Sequence, residues 1–282
     1  MVCNIIPAII NIVLDYVFIF ILKWGMFGAA LATSLGYIVG AVMILAYLFH
    51  PERILHVCRV KLSKKSLYLT IRNVGYMCRL GFSSFLCETA IATMMFVGNY
   101  VFIRYLGEDG VAAYSIACYF FPIVFMVYNA IAQSAQPILS YNYGAKCTAR
   151  VRETFRLALT TAILCGAGVF LLTWMFSHQI VGMFLDSSYP AYNIAVKGLP
   201  LFASGFVFFG INIVSIGYFQ SLERDCPAMI ITLLRGFALI LLCFWILPII
   251  WGSWGIWLAV PMSELLTFLF VLVIYWLENR RN

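Results

Sequence analysis

Of the 282 residues, 64% are apolar, only 10% are charged, and the mean hydropathy is +0.98. A water-soluble domain carries about a quarter charged residues, so a water-facing globule is excluded and lipid is the solvent this composition fits. The net charge of +7 does not signal nucleic acid, because the basic residues lie in short breaks between long apolar runs.

Eight runs approach or exceed the roughly 20 apolar residues that a membrane-crossing helix needs. In chain order they are 5–22, 28–49, 80–103, 111–139, 155–176, 194–219, 229–250 and 254–277. They are too long and too uniformly apolar for barrel strands, so each is expected to be helical. The fold class is therefore an all-α integral membrane protein of about eight transmembrane helices. The segment 1–22 lacks a basic start and contains Asp15, so no cleavable leader is expected.

The stretch 51–78 is the longest polar break and the most basic, and reads as a cytosolic linker. It divides a helix pair, 1–50, from a six-helix group, 79–282. Segment 177–185 reads as a short amphipathic piece at the outer interface. With the N-terminus in the cytosol, 15 Lys and Arg fall on the inner side, including Lys146, Arg152, Arg224 and Arg235. The outer side holds three: Lys23, Arg104 and Lys197. This positive-inside bias places both termini in the cytosol.

The nine cysteines are scattered singly, without a CxxC pair, and read as small packing residues. His50, His56 and His178 lie at ends and loops and read as interfacial. No catalytic triad, phosphate loop or zinc spacing is present, so no enzyme activity is expected.

Two turns repeat. Lys23-Trp24-Gly25-Met26-Phe27-Gly28 precedes one helix and Ile250-Trp251-Gly252-Ser253-Trp254-Gly255 another, with Leu and Ala recurring afterwards in register. The glycines suit a tight turn and close helix approach. If the first two helices correspond to the last two, the repeating unit is six helices long. Four helices would then be missing before Met1, and the chain would hold the last two helices of a first lobe plus a complete second lobe.

Asn11-Ile12-Val13-Leu14-Asp15-Tyr16 and Gly25–Thr33 resemble the fifth and sixth helices of the multidrug and toxic compound extrusion (MATE) family. Ala132–Lys146, containing Gln133, Gln136, Pro137 and Gly144, resembles the end of that family's eighth helix, and Gly110–Ser115 its start. The resemblance implies twelve helices in two lobes around a central cavity, exporting organic cations and other amphiphiles in exchange for sodium ions or protons. It also implies a bacterial cytoplasmic membrane and no cofactor. Beyond the lipid bilayer, the expected partners are small amphiphilic substrates and the missing N-terminal helices, from the same or another chain.

Three carboxylates lie inside apolar helices: Asp15, Glu88 and Glu264. A charge at mid-bilayer costs at least ~2.5 kcal/mol, so such groups bind ions, face cavities, change protonation, or sit neutral against a neighbouring helix. By resemblance, Glu88 coordinates the coupling cation, with Ser84, Ser83 and Thr89 as nearby hydroxyls. Oxygen ligands suit sodium and a desolvated carboxylate suits a proton, and the residues do not choose between them. The family's aspartate on the fourth helix of this lobe is absent. Asn212, with Ser204 and Ser215, stands there instead, either as a neutral oxygen ligand or as a packing group. By resemblance Asp15 belongs to a proton-linked network whose partner lies outside the chain.

Asn129, Gln133 and Gln136 fall on one helix side and are expected at the cavity mouth. Tyr128, Phe121 and Met95 are candidates for a substrate wall through cation–π attraction or adaptable packing, with plain packing the alternative. Pro122 and Pro137 interrupt the same helix and allow a bend. The expected function is a cation-coupled exporter in truncated form, inactive alone. The alternatives are a flippase for lipid-linked precursors, which needs a strongly basic cavity, and a non-transporting membrane fragment.

Overall fold

The computed structural model describes residues 2–49 and 63–279. The basic residues Arg53, Arg59, Lys61, Arg280 and Arg281, with His50 and His56, lie outside the described residues. The described chain contains helices and no strand, as uniformly apolar segments require in lipid. Two compact units are present, Met1–Ile71 and Arg72–Asn282. The division falls inside the stretch expected as a linker, and residues 64–78 of that stretch are already helical.

In the first unit, α1 (Val2–Asp15) continues as a π-helical segment, Tyr16–Ile21, and turns into α2 (Gly25–Leu48). The buried residues of α2 are Gly28, Ala32, Gly36 and Gly40, spaced four apart. This small-residue stripe lets α1 approach: a methyl group on Gly36 would meet Asn11 Cβ at 3.2 Å. Asn11 Nδ2 donates to Thr33 Oγ1 at 3.5 Å across the pair.

The second unit begins in α3 (Lys64–Gly144), two helical arms joined at Gly107, where φ is +67°. It continues through α4 (Thr148–Met175), the short α5 (Ser177–Gly182), α6 (Pro190–Ala203) and α7 (Phe206–Ser221). The chain then passes into α8 (Asp225–Leu233), a π-helical segment Leu234–Ala238, and α9 (Leu239–Asn279), itself two arms joined at Gly252. Gly25, Gly107 and Gly252 all have φ between +55° and +67°, a region where an L side chain is strained.

Each of these glycines is followed three residues later by another: Gly28, Gly110 and Gly255. A methyl group there would strike Phe18, Leu106 or the Leu247 carbonyl on the incoming helix. The repeat expected at Gly25 and Gly252 thus has a backbone basis, and a third copy exists at Gly107.

Four stretches are long and apolar enough to cross a membrane: Gly25–Leu48, Ser84–Gly144, Thr148–Met175 and Asp225–Leu277. The pair α6 and α7, bent by 41°, makes a fifth when counted as one span. Two of the four contain the turns at Gly107 and Gly252.

Helix α7 is the core of the second unit. It packs against α4, α8 and α9 and is buried along most of its length. An aromatic cluster joins its neighbours: Phe102 stacks on Tyr114 at 4.3 Å between centroids and meets Trp257 edge-on at 4.9 Å. Phe121 lies 4.8 Å from Phe209. Tyr128 donates its hydroxyl hydrogen to the Phe206 carbonyl at 2.8 Å. Its ring rests on Gly210, where an added methyl group would come within 2.6 Å of Cε1.

Candidate functional site: a polar cleft and a buried ion pair

Two polar constellations involve the expected site residues of the second unit. The first is a cleft of about 420 Å³. The first arm of α3 contributes Ser84 and Glu88, the second arm Asn129, Gln133 and Gln136, and α7 Gln220. The two arms of α3 face each other because the Gly107 turn reverses the chain. Asn129, Gln133 and Gln136 share a wall because residues three and four apart lie on one helix side.

Gln136 Nε2 donates to Gln220 Oε1 at 3.2 Å, clipping the second arm of α3 to α7. Gly217 permits the approach, since a methyl group there would meet Ala132 Cβ at 3.1 Å. Glu88 and Ser84 are exposed to the cleft. Five of the expected site residues, Glu88, Ser84, Asn129, Gln133 and Gln136, therefore converge. Gln220, which the sequence reading did not select, completes the wall.

Glu88 lies nineteen residues before Gly107, roughly 28 Å along a helix at 1.5 Å per residue. Gln136 and Gln220 are within a few residues of Gly144 and Ser221, where their own helices end. The cleft thus sits toward the end of the unit away from the Gly107 turn.

The second constellation is closed. Arg235 Nε donates to Glu264 Oε1 at 2.8 Å, with both side chains almost fully buried. Asn212 Nδ2 donates to Glu264 Oε2 at 2.8 Å and to the Glu264 carbonyl at 3.0 Å. The guanidinium of Arg235 also lies 4.5 Å over the centroid of Phe209, a favourable cation–π placement. Arg235 sits in the π-helical segment Leu234–Ala238, where each turn takes in an extra residue; such bulges frequently mark functional sites.

Both carboxylate oxygens of Glu264 are thus engaged by protein donors. Asn212 serves as a hydrogen-bond donor to a carboxylate here, with its Oδ1 and Arg235 Nη1 left without partners. Arg235 was counted among the inner-side loops; its burial inside the bundle, at 4% exposure, corrects that assignment.

The remaining expected residues lie elsewhere. Phe121 and Tyr128, expected on a substrate wall, are packed in the aromatic core. Large rings with a glycine beneath them fill the interior more favourably than they line an open cleft. Met95 is half-buried against the same core. Asp15 is half-buried in the first unit, where α1 gives way to its π-helical segment. Among the described residues no group of three His, Cys, Asp or Glu side chains is placed to hold a metal ion.

Comparison with known proteins agrees with the architecture. Two curated relatives are Multidrug export protein MepA from Staphylococcus saprophyticus and from Staphylococcus aureus. They are 21% identical over 97% of this chain and 22% identical over 96%. The chain spans 59% and 58% of their respective lengths. Among solved structures, an outward-facing multidrug resistance MATE transporter of the MOP superfamily matches at TM-score 0.84, with 21% identity over 97% of this chain and 61% of that one. A MOP superfamily transporter from Pyrococcus furiosus matches at 0.83, with 20% identity over 95% of this chain and 59% of that one. The MatE family model matches residues 84–245, which carry every group of the polar cleft and Arg235 as well. That segment is more than half of the chain, and the chain belongs to the MatE family.

Proposed function

We propose that this chain forms the greater part of a secondary antiporter that exports organic cations and related amphiphiles in exchange for sodium ions or protons. The observation that carries the reading is the cleft whose lining brings together one carboxylate, Glu88, and four carboxamides, Asn129, Gln133, Gln136 and Gln220. A carboxylate flanked by neutral oxygen-bearing groups accepts a small cation or a proton at modest desolvation cost. The amides supply donors and acceptors to whatever shares the cleft.

In this mechanism Glu88 alternates between the coupling ion and the cationic substrate. Ser84, one turn earlier on the same arm, is the hydroxyl nearest in sequence to assist it. Glu264 is held by Arg235 and Asn212, so its part is structural while that pair is intact. Asp15 belongs to a second polar network in the first lobe. The cleft lining contains no Lys or Arg, which does not suit the anionic pyrophosphate of a lipid-linked precursor.

The full carrier has twelve spans, of which this chain supplies eight, with both termini on the cytosolic side of a bacterial inner membrane. Alternating access requires two lobes rocking about the site. The 282-residue chain therefore transports only when the remaining helices of the first lobe are supplied.

The test is ethidium efflux from proteoliposomes holding the complete protein, driven in turn by an imposed sodium and an imposed proton gradient. Glu88→Gln is expected to abolish coupled efflux while leaving membrane expression intact. Wild-type efflux by that variant removes Glu88 from the mechanism. Efflux by the 282-residue chain alone overturns the requirement for the missing helices.

A further inference from the structure

A second cavity in the same unit, about 510 Å³ in volume, lies where α3 ends, α4 begins and α7 ends. Lys146, Arg152 and Arg224 line it, and among its described lining residues none is a carboxylate. Its wall includes Thr148, the first residue of the 28-residue helix α4, whose N-cap Cys147 makes no side-chain capping bond. The first amide groups of that helix therefore add donors and partial positive charge to those of the three cations.

The lining also holds apolar side chains, Val151 and Leu222, and the ring of Tyr275. On the same helix as Tyr275, Leu272 and Trp276 are exposed apolar side chains. Cations within, beside an apolar outer wall, form the arrangement that fits an anionic group carrying hydrocarbon chains.

We propose that this cavity binds the phosphate of an anionic lipid headgroup from the inner leaflet. The inference rests on the membrane orientation given above and is independent of the Glu88 cleft, whose lining residues it does not share. The phosphate sits between Lys146 and Arg152, and the acyl chains run along Leu272 and Trp276. Arg is suited to such a site because its planar fork matches two phosphate oxygens at once.

The test is native mass spectrometry of the purified full chain in detergent, titrated separately with phosphatidylglycerol and phosphatidylcholine. Preferential retention of phosphatidylglycerol is expected. Arg152→Gln should weaken that retention about fivefold, the usual worth of one basic residue near an anionic headgroup. Lys146→Asn combined with Arg152→Gln should remove the preference; Asn is chosen because Lys146 has φ +58°, which Asn tolerates. Lys197→Gln, outside this cavity, should leave it unchanged.

A preference for phosphatidylglycerol that survives the double substitution overturns the proposal, as does equal retention of the two lipids. Displacement of the lipid by equimolar glycerol 3-phosphate would assign the site to a soluble phosphate ester and overturn it equally. Wild-type ethidium efflux by the double variant in the complete protein is the expected control, since the cleft is untouched.

Discussion

Arg235 and Glu264, 29 residues apart in the chain, form an ion pair of 2.8 Å inside the second unit, reinforced by Asn212 on the opposite oxygen. Removing one partner leaves a buried charge uncompensated, at a cost of about 3–5 kcal/mol. Replacing both by apolar groups of similar size recovers most of that. Arg235→Met is therefore expected to lower the melting temperature in detergent sharply, and Arg235→Met with Glu264→Met to restore it. Additive losses in the double variant would show that the pair is not energetically coupled.

Tyr128 tests the boundary between core and cleft. Its hydroxyl bonds to the Phe206 carbonyl and its ring covers Gly210. Tyr128→Phe should cost about 1 kcal/mol of stability, the usual worth of one hydrogen bond, without changing ethidium affinity in the complete protein. A large affinity change with unaltered melting would place Tyr128 on the substrate path after all.

The turn glycines supply a third expectation. Gly252→Ala forces an L residue into φ near +57°, at roughly 1–2 kcal/mol. Gly168→Ala, in the body of α4 with nothing within 4 Å of the added methyl group, should be neutral or stabilising by up to ~1 kcal/mol. Thermal melts of the two variants, read side by side, separate backbone strain from mere loss of a glycine.

The Gln136–Gln220 contact, at 3.2 Å, links the cleft wall to α7. A double-mutant cycle with Gln136→Leu and Gln220→Leu, scored by melting, should return a coupling of about 0.5–1.5 kcal/mol. A coupling near zero would mean that each amide is satisfied by water instead.

Much of this was legible from residue order. Long apolar runs dictate helices, and the side-chain spacing of Asn129, Gln133 and Gln136 dictates a shared polar wall. The Trp-Gly pairs revealed two of the three positive-φ glycine turns among the described residues. The third, Gly107 to Gly110, has no tryptophan before it and is recognisable only by its glycine spacing and backbone angles. Arg235 was misplaced because charges in sequence are assigned by default to water. Yet it stands within an apolar run, and a buried cation requires a buried anion, which Glu264 was available to provide. Phe121 and Tyr128 could not be sorted between core and cleft, because an aromatic ring satisfies either setting until its neighbours are known. Gly210 decides the matter for Tyr128, and that contact joins residues 82 positions apart.

The ion pair also constrains how the chain is made. The helix bearing Arg235 emerges from the ribosome ahead of Glu264, and a lone arginine near the middle of a membrane helix costs about 2.5–3.5 kcal/mol during insertion. The following helix carries the neutralising carboxylate and is joined to the first only by the tight Gly252 turn. Insertion of these two helices as one hairpin brings the carboxylate to the arginine and avoids that cost.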